Sequence, residues 1–557
     1  MENTPVPRIA LVLLLLLGGV TFLWGLGHSA IQDSDEAFYA EAAREMVGSG
    51  DWVVPHYNFE ERLQKPILYY WLTAATYMVA GVSEAAARFW AGMSGLGLAL
   101  IAWAAARRWY DEYTGLIAGA IVATSFGFVP IARQALPDVP LALFVSLTCW
   151  AAIEAALAPP RTSARWLYLA AAAAGLGMLT KGPLAVVLPG AVLVPLMIWE
   201  RRRGDGGGAT FAASVRVAHI LIASAIFVAI ALPWFAAITE RLGAGYLTRF
   251  FFEENLERFG TSRYNERRSV FFYFPIIAGG LLPWSVFGAL WLRPIIGWFG
   301  RARAILPAER RLICWALGPL AVFMSSVGSQ PRYILPCLVP LAVLLARAIW
   351  THAQARTRTF SLTALAAGAV MMLLGALVWR ARPLLVGANP SWTHIEPALM
   401  IGAGAAAIIA AWFLPPRRAL AALTICAAVT VMAFESSVRV LGRPEPVEVV
   451  AAVARQAGPV PAICACGAFA RSLTFYTHVP TVVGATEDEV VDFLSNGDRV
   501  LAAIDSKMLA QVETRMGKTF PRLTEVTYLD SAVWQRVDSL LLPDPNRLQR
   551  VILISNR

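Results

Sequence analysis

Thirteen apolar runs, each close to the roughly 20 residues a helix needs to cross hydrocarbon, fill most of the first 434 residues and dictate what this chain can fold into. They are read at 8–27, 84–106, 114–131, 137–157, 165–180, 183–199, 215–234, 270–291, 310–327, 332–350, 361–379, 396–414 and 418–434. With 57% hydrophobic residues, 15% charged and a mean hydropathy of +0.58, the chain has too little polar surface for a soluble protein of 557 residues. It reads as a polytopic α-helical membrane protein with about 13 transmembrane helices.

Arginine placement orients those spans, because cytoplasmic loops collect Lys and Arg. Arg107 with Arg108, Arg161 with Arg165, Arg201 to Arg203, Arg293 to Arg311, Arg347 to Arg358, and Arg417 with Arg418 all follow even-numbered spans. An inside N-terminus therefore puts every one of them in the cytoplasm. Loops 28–83 and 235–269, the turns near 132–136 and 180–182, and everything after 435 then lie on the outer face. The stretch 66–82 would invert this pattern if it crossed, so it is expected to lie in or near the interface. The net charge of +10 is explained by this orientation and by an anionic lipid surface, with no need for a nucleic-acid partner. Residues 8–27 end in Gly27-His28-Ser29-Ala30, a poor cleavage site, which favours an uncleaved first helix.

After Glu435 the pattern changes to short alternating runs that read as a small α/β domain. Helices are expected at Glu445–Arg455, Glu487–Leu494 and Ser506–Met516, and strands at Pro461–Cys466, Arg499–Ile504 and Arg550–Ile554. No glycine-rich phosphate loop sits at a strand-to-helix turn, so this domain reads as a structural cap or partner surface. The division is 1–434 for the membrane part and 435–557 for the outer domain. GDGGG at 204–208 is a flexible linker by composition. Four of the six cysteines fall inside apolar runs as small hydrophobes, and Cys464-x-Cys466 is by itself weak evidence for a bridge or a metal.

The outer connections carry more charge than connectors need. The stretch Ile31–Pro66 opens with Asp33, Asp35 and Glu36 and ends at Lys65-Pro66. Arg133 and Asp138 share a tight turn, Lys181 occupies another, Glu254 and Arg258 stand at helical spacing in the loop from Phe250 to Arg268, and Arg332-Tyr333 open the tenth span. Each alone is explained by snorkelling or a loop-fixing ion pair. Together Lys65, Arg133, Lys181, Arg258 and Arg332 make a cationic cluster on one face, suited to holding a lipid phosphate. The acids Asp35, Glu36 and Asp138 are the catalytic candidates, with Glu254 in the binding set. For a metal the only candidates are Glu84 and His56, too few for a zinc site; Glu84 has an ion pair with Arg88 at i,i+4 as its simpler explanation.

The ordered set DSDEAFYAEAAREMVGSGDWVVP (33–55), Lys65-Pro66, SEAAAR (83–88), RQALPDVP (133–140), LTKGP (179–183), EENLERF (253–259) and QPRYILPCLVPLA (330–342) resembles the bacterial aminoarabinose transferases of lipid A. These are membrane glycosyltransferases of the GT-C type, similar to the protein O-mannosyltransferases. The resemblance runs from about residue 8 to 345 and implies an active site on the periplasmic side of the inner membrane, with the C-terminal domain periplasmic as well. It implies undecaprenyl phosphate-linked aminoarabinose as donor, a lipid A phosphate as acceptor, and polymyxin resistance as the outcome. Asp35 with Glu36 matches the catalytic acid, Lys65 the lipid-phosphate contact, and Arg258 and Tyr333 positions near the same phosphate. Gln64 stands where the family commonly has Glu, and Asn255 where it has His, which bears on any metal or proton role there. No cofactor is required by this reading, and a divalent metal such as zinc is the one candidate.

Breaking a sugar–phosphate bond leaves negative charge on the departing phosphate, which Lys65 and Arg258 would stabilise. A hydroxyl acceptor needs a base such as Asp35, whereas a phosphate acceptor is already an anion. The acids would then bind the donor's ammonium, and a single displacement inverts the anomeric centre. Two other readings remain open: a GT-C transferase acting on protein or another envelope glycan, and a transporter of lipid-linked sugars. A transporter predicts ionisable residues deep in several spans, while the charges here gather at the outer ends.

Overall fold

A computed structural model of the chain describes residues 8–157, 160–203, 216–261, 268–299, 304–388, 394–439, 444–495, 497–529 and 541–557. The glycine-rich linker at 204–208 and part of the loop ending at Arg268 lie outside the described residues. Among those described, eight helices are long and apolar enough to cross a bilayer, and a ninth span results if Tyr273–Gly280 and Trp284–Phe299 count as one bent pair. Of the other expected spans, the fifth and ninth are the regular helices Pro160–Lys181 and Pro307–Ser325, and two are less regular. The first is a helix Arg8–Gly18 continued by a wider turn Gly19–Leu23, and the third is Glu112–Ala123 followed by the short Val129–Ala132. The bent pair turns through 112°, so 270–291 is a broken span or re-entrant segment in place of a straight crossing. The stretch 66–82 forms the helix Leu68–Ala80, whose 13 residues fall short of a span.

Local chemistry sets many of these ends. Ser83 caps Glu84–Trp109 by accepting from Ala86 N, and Arg107 and Arg108 lie against the negative end of the same helix. Asp111 caps Glu112–Ala123 through Thr114 N. Small residues let backbones touch: a Cβ on Gly127 would lie 2.9 Å from the Gly280 carbonyl, and Gly127 N donates to that carbonyl at 2.6 Å. Trp284 then donates to Thr124 Oγ1 at 2.8 Å, so the bent pair is pinned to the third segment.

The first long loop, 28–83, is built around the helix Asp35–Ser49, capped by Ser34 at one end and by left-handed Gly50 at the other, with Asp35 and Glu36 in its first turn. A hairpin follows, β1 His56–Tyr57 and β2 Glu60–Glu61, whose turn residues Asn58 and Phe59 both have positive φ.

Beyond the membrane helices the chain forms a five-stranded mixed sheet from β3 Ile463–Cys466, β4 Thr481–Val483, β5 Leu501–Asp505, β6 Arg522–Tyr528 and β7 Gln549–Ser555, in the order β4-β3-β5-β7-β6. The three leading strands are parallel and β7 runs antiparallel to β5 and β6. Helices Pro446–Gln456, Glu487–Leu494 and Ser506–Met516 fall where the sequence places them. Strands β4 and β6 were not foreseen, being short or half-exposed with no clean alternation. Because β3 alternates, Cys464 and Cys466 point to one face, where their sulfurs are bonded at 2.12 Å. The C-x-C pair is thus a disulfide, against the bland expectation for such a short spacing.

This domain docks on the loop 28–83. Glu445 accepts from Ala30 N at 2.6 Å, Tyr476 Oη accepts from Ile31 N at 2.7 Å, and Asn58 exchanges two bonds with the Thr481 backbone at 2.9 and 2.7 Å.

Candidate active site

Three of the expected cations meet at one end of the membrane helices. Lys65, Lys181 and Arg258 line a cavity of about 380 Å³, with Glu254, Asn255 and Tyr333 as further polar lining and Leu184, Val187, Phe251, Phe259 and Val322 among its apolar walls. That volume lies within the range of small-ligand pockets. The apolar side belongs to helices Leu184–Arg203 and Pro307–Ser325 and the 250s loop, so a lipid tail can run down it while its head meets the cations.

Each cation is fixed differently. Lys65 is held in the bend before Pro66 and the helix Leu68–Ala80. Burial, then the neighbouring charges of Arg258 and Lys181, push its ammonium down to about 7. Lys181 ends the helix Pro160–Lys181, pairs with Asp138 at 2.6 Å and lies 4.4 Å above the Tyr333 ring. Arg258 pairs with Glu254 at 3.5 Å, the i,i+4 contact expected, and its carbonyl leaves no room for a Cβ at Gly328.

Beside the cavity stands a chain of alternating charge. Arg332 reaches Asp35 Oδ2 at 2.5 Å and lies 3.2 Å from Asp138 Oδ2, whose other oxygen takes Lys181. Asp138 is buried, with Lys181 on one oxygen and Arg332 beside the other, and it aligns those two cations. Asp35 is half-exposed, at 42% for its side chain, and is the acid of this chain that an incoming molecule can touch.

Three further expectations change. Glu36 is fully buried and grips Arg88 with both oxygens, at 2.7 and 3.0 Å, while accepting from Gln32 N and Ala135 N. Burial would raise its carboxyl, but the Arg88 guanidinium and those two amides hold it below the usual range. Glu36 is therefore a pin between the first loop and the helix Glu84–Trp109, not a catalytic acid. Arg133 leaves the cationic cluster: its guanidinium donates to the carbonyls of Thr21 and Trp24 at 3.2 and 2.8 Å and pairs with Glu435, closing the end of the first segment. Arg88 binds Glu36, and Glu84 accepts from Tyr476 Oη at 2.9 Å. His56 lies in the hairpin opposite Glu61, and no group of three or more His, Cys, Asp and Glu among the described residues could hold a metal, so Glu84 and His56 do not make one.

Two arginines at the site were missed. Arg62 stacks 3.9 Å above Phe38, and Arg471 of the outer domain lies 3.5 Å from Asp35 Oδ1. Arg62 precedes Lys65 by three residues and could have been suspected; nothing local in the sequence points from Arg471 to a residue 436 positions away.

Comparison with known proteins gives a consistent picture. The family model described as dolichyl-phosphate-mannose-protein mannosyltransferase matches residues 14–241. The undecaprenyl phosphate-α-4-amino-4-deoxy-L-arabinose arabinosyl transferase of Pseudomonas paraeruginosa is 33% identical over 418 residues, 73% of this chain and 72% of that protein. The corresponding transferase 1 of Sodalis glossinidius is 32% identical over 401 residues, covering 69% and 68%. Transferase 2 of Pseudomonas fluorescens is 33% identical over 350 residues, 61% of this chain and 56% of the relative. In fold, the crystal structure of ArnT from Cupriavidus metallidurans bound to undecaprenyl phosphate superposes with a TM-score of 0.75 at 21% identity, covering 99% of both chains. The archaeal oligosaccharyltransferase AglB of Archaeoglobus fulgidus gives 0.52 at 13% identity, covering 89% of this chain and 69% of its own.

Proposed function

We propose that this chain, which belongs to the undecaprenyl phosphate-α-4-amino-4-deoxy-L-arabinose arabinosyl transferases, moves 4-amino-4-deoxy-L-arabinose from undecaprenyl phosphate to a phosphate of lipid A. The observation that carries this reading is the cavity whose apolar walls end in Lys65, Lys181 and Arg258 beside the exposed carboxylate of Asp35. The relatives supply the sugar and the carrier; the pocket supplies chemistry that fits a lipid phosphodiester. The protein works in the bacterial inner membrane, with its N-terminus cytoplasmic and its cavity and C-terminal domain periplasmic. Its product is a less anionic lipid A that binds cationic peptides such as polymyxin poorly.

Transfer is a single displacement with inversion. The bond between the anomeric carbon and the carrier phosphate oxygen breaks, its electron pair stays on undecaprenyl phosphate, and a lipid A phosphate oxygen forms the new bond. Lys65 and Arg258 stabilise the departing phosphate in a partly dehydrated site, where such charge complementarity usually contributes most. The acceptor is already an anion, so no proton must leave it. Asp35 is then assigned to the donor's ammonium, orienting the sugar, and Lys181 with Tyr333 lies along the path between Asp138 and the cavity.

The test is mass spectrometry of lipid A from a polymyxin-sensitive strain that lacks its own transferase and has an active donor pathway. The native chain should add the mass of aminoarabinose, and Asp35→Asn should not, while still binding undecaprenyl phosphate. Modification retained by Asp35→Asn moves the catalytic assignment elsewhere. No modification by native protein present in the membrane overturns the acceptor.

A further inference from the structure

We propose that Arg471, supplied by the C-terminal domain, is a positioning residue for the transfer, holding the Asp35 carboxylate on the oxygen that Arg332 leaves open. The inference rests on the reading of Asp35 as the acid that meets the substrate. Arg332 takes Oδ2 at 2.5 Å, and Arg471 Nη1 lies 3.5 Å from Oδ1. The Arg471 guanidinium also lies 5.0 Å from the centre of the Phe38 ring, one helical turn on from Asp35, which limits where that long side chain can go.

The backbone beneath Arg471 is fixed more tightly than a surface turn requires. One carboxylate oxygen of Asp33 accepts from Arg471 N at 2.6 Å, Ser472 N at 2.8 Å and Ser472 Oγ at 3.1 Å. The Arg471 carbonyl in turn accepts from Tyr57 Oη at 3.0 Å. Asp33 and Asp35 therefore divide the work: the first captures the turn, and the second receives the side chain that the turn presents. An exposed ion pair by itself contributes little, and Arg471 is 46% exposed. What the arrangement supplies is direction. A carboxylate gripped at both oxygens by guanidiniums from two parts of the chain cannot swing, and a group displaced by about 1 Å can lose roughly a hundredfold in rate.

The test uses the full-length protein in a reconstituted transfer assay, with binding of undecaprenyl phosphate measured alongside. Arg471→Ala should lower kcat by about 10- to 100-fold with carrier affinity within about twofold of native, since the cavity cations are untouched. Arg471→Lys should recover part of the loss. Asp33→Ala, which frees the turn but keeps the guanidinium, should lower kcat in the same direction, and the double variant should be no worse than Arg471→Ala alone. Native kcat in Arg471→Ala overturns the proposal, as does a loss confined to KM or one that Lys does not relieve. The same assay on Asp35→Asn separates the two readings. An inactive Asp35→Asn beside a fully active Arg471→Ala sinks only the positioning role, whereas an active Asp35→Asn removes the premise.

Discussion

Lys65 shows how a single residue can be tuned by where it is placed. Its ammonium lies among cations, and burial followed by Arg258 and Lys181 lowers its pKa to about 7. In the empty protein the folded pKa is below the unfolded one, so charge on Lys65 opposes folding below pH 7, and stability rises as pH climbs from there toward the ordinary lysine range. A bound phosphodiester reverses the sign, because its single negative charge favours protonated Lys65. Above pH 7 binding must therefore take up a proton, and affinity for a donor diester should fall by up to about tenfold per pH unit between 7 and 9. In Lys65→Arg, which stays charged, the profile should be flat. A flat profile in the native protein would show that Lys65 does not face the phosphate. This lysine was legible in the sequence because the proline after it marks a turn at the membrane face. Glu36 was not, since its partner Arg88 lies 52 residues on and only the fold brings them together. Arg133 was misread for the same reason: carbonyls at the end of the first segment claim it, and helix-end carbonyls leave no signature in sequence.

Among the elements, the apolar runs located the helices, while packing decided which became regular spans. The helices Arg358–Ala388 and Ile395–Phe413 meet where Gly368 and Gly404 face each other, and a Cβ on Gly404 would lie 2.6 Å from the Gly368 carbonyl. Close approach through small residues is the usual device between membrane helices, where apolar surface gives no preference for protein over lipid. Gly404→Leu should destabilise the protein by about 1–3 kcal/mol through overpacking, read as a lower thermal midpoint in detergent. None of the cavity-lining residues lies on these two helices, so carrier affinity in the folded fraction should stay native. An unchanged midpoint would mean that the helices do not pack at this distance. The bent pair at 273–299 was read as one straight run although Gly279, Gly280 and Pro283 stand at its break, and contacts to Gly127 and Thr124 of another segment fix the two halves there. Hydrophobicity reports that a run belongs in the membrane and is silent on whether it goes straight through.

For the whole molecule, the arrangement separates holding the carrier from transferring the sugar. Lys65, at the far end of the first loop, Lys181 and Arg258 take their supports within residues 1–434, whereas the start of that loop, residues 30–33, is also held by the C-terminal domain. In a chain ending after Arg439, Ala30 N loses Glu445, Ile31 N loses Tyr476, and Asp33 loses the Arg471-Ser472 turn. Ala30 packs in the core of the C-terminal domain and its amide regains water when that domain is gone, whereas Ile31 packs mostly among residues of the membrane part, where an amide left without a partner costs about 1–3 kcal/mol. The loop then has less reason to hold Asp35 against Arg332, although the cavity's own cations keep their supports in Asp138, Glu254 and Pro66. Such a shortened protein should therefore still bind undecaprenyl phosphate, with affinity within about tenfold of native, while transfer falls by at least about a hundredfold. Binding and turnover measured on the same membrane preparation decide the matter. Joint loss of both would show that the outer domain is needed to form the cavity itself, and native turnover would show that the loop holds its catalytic pose unaided.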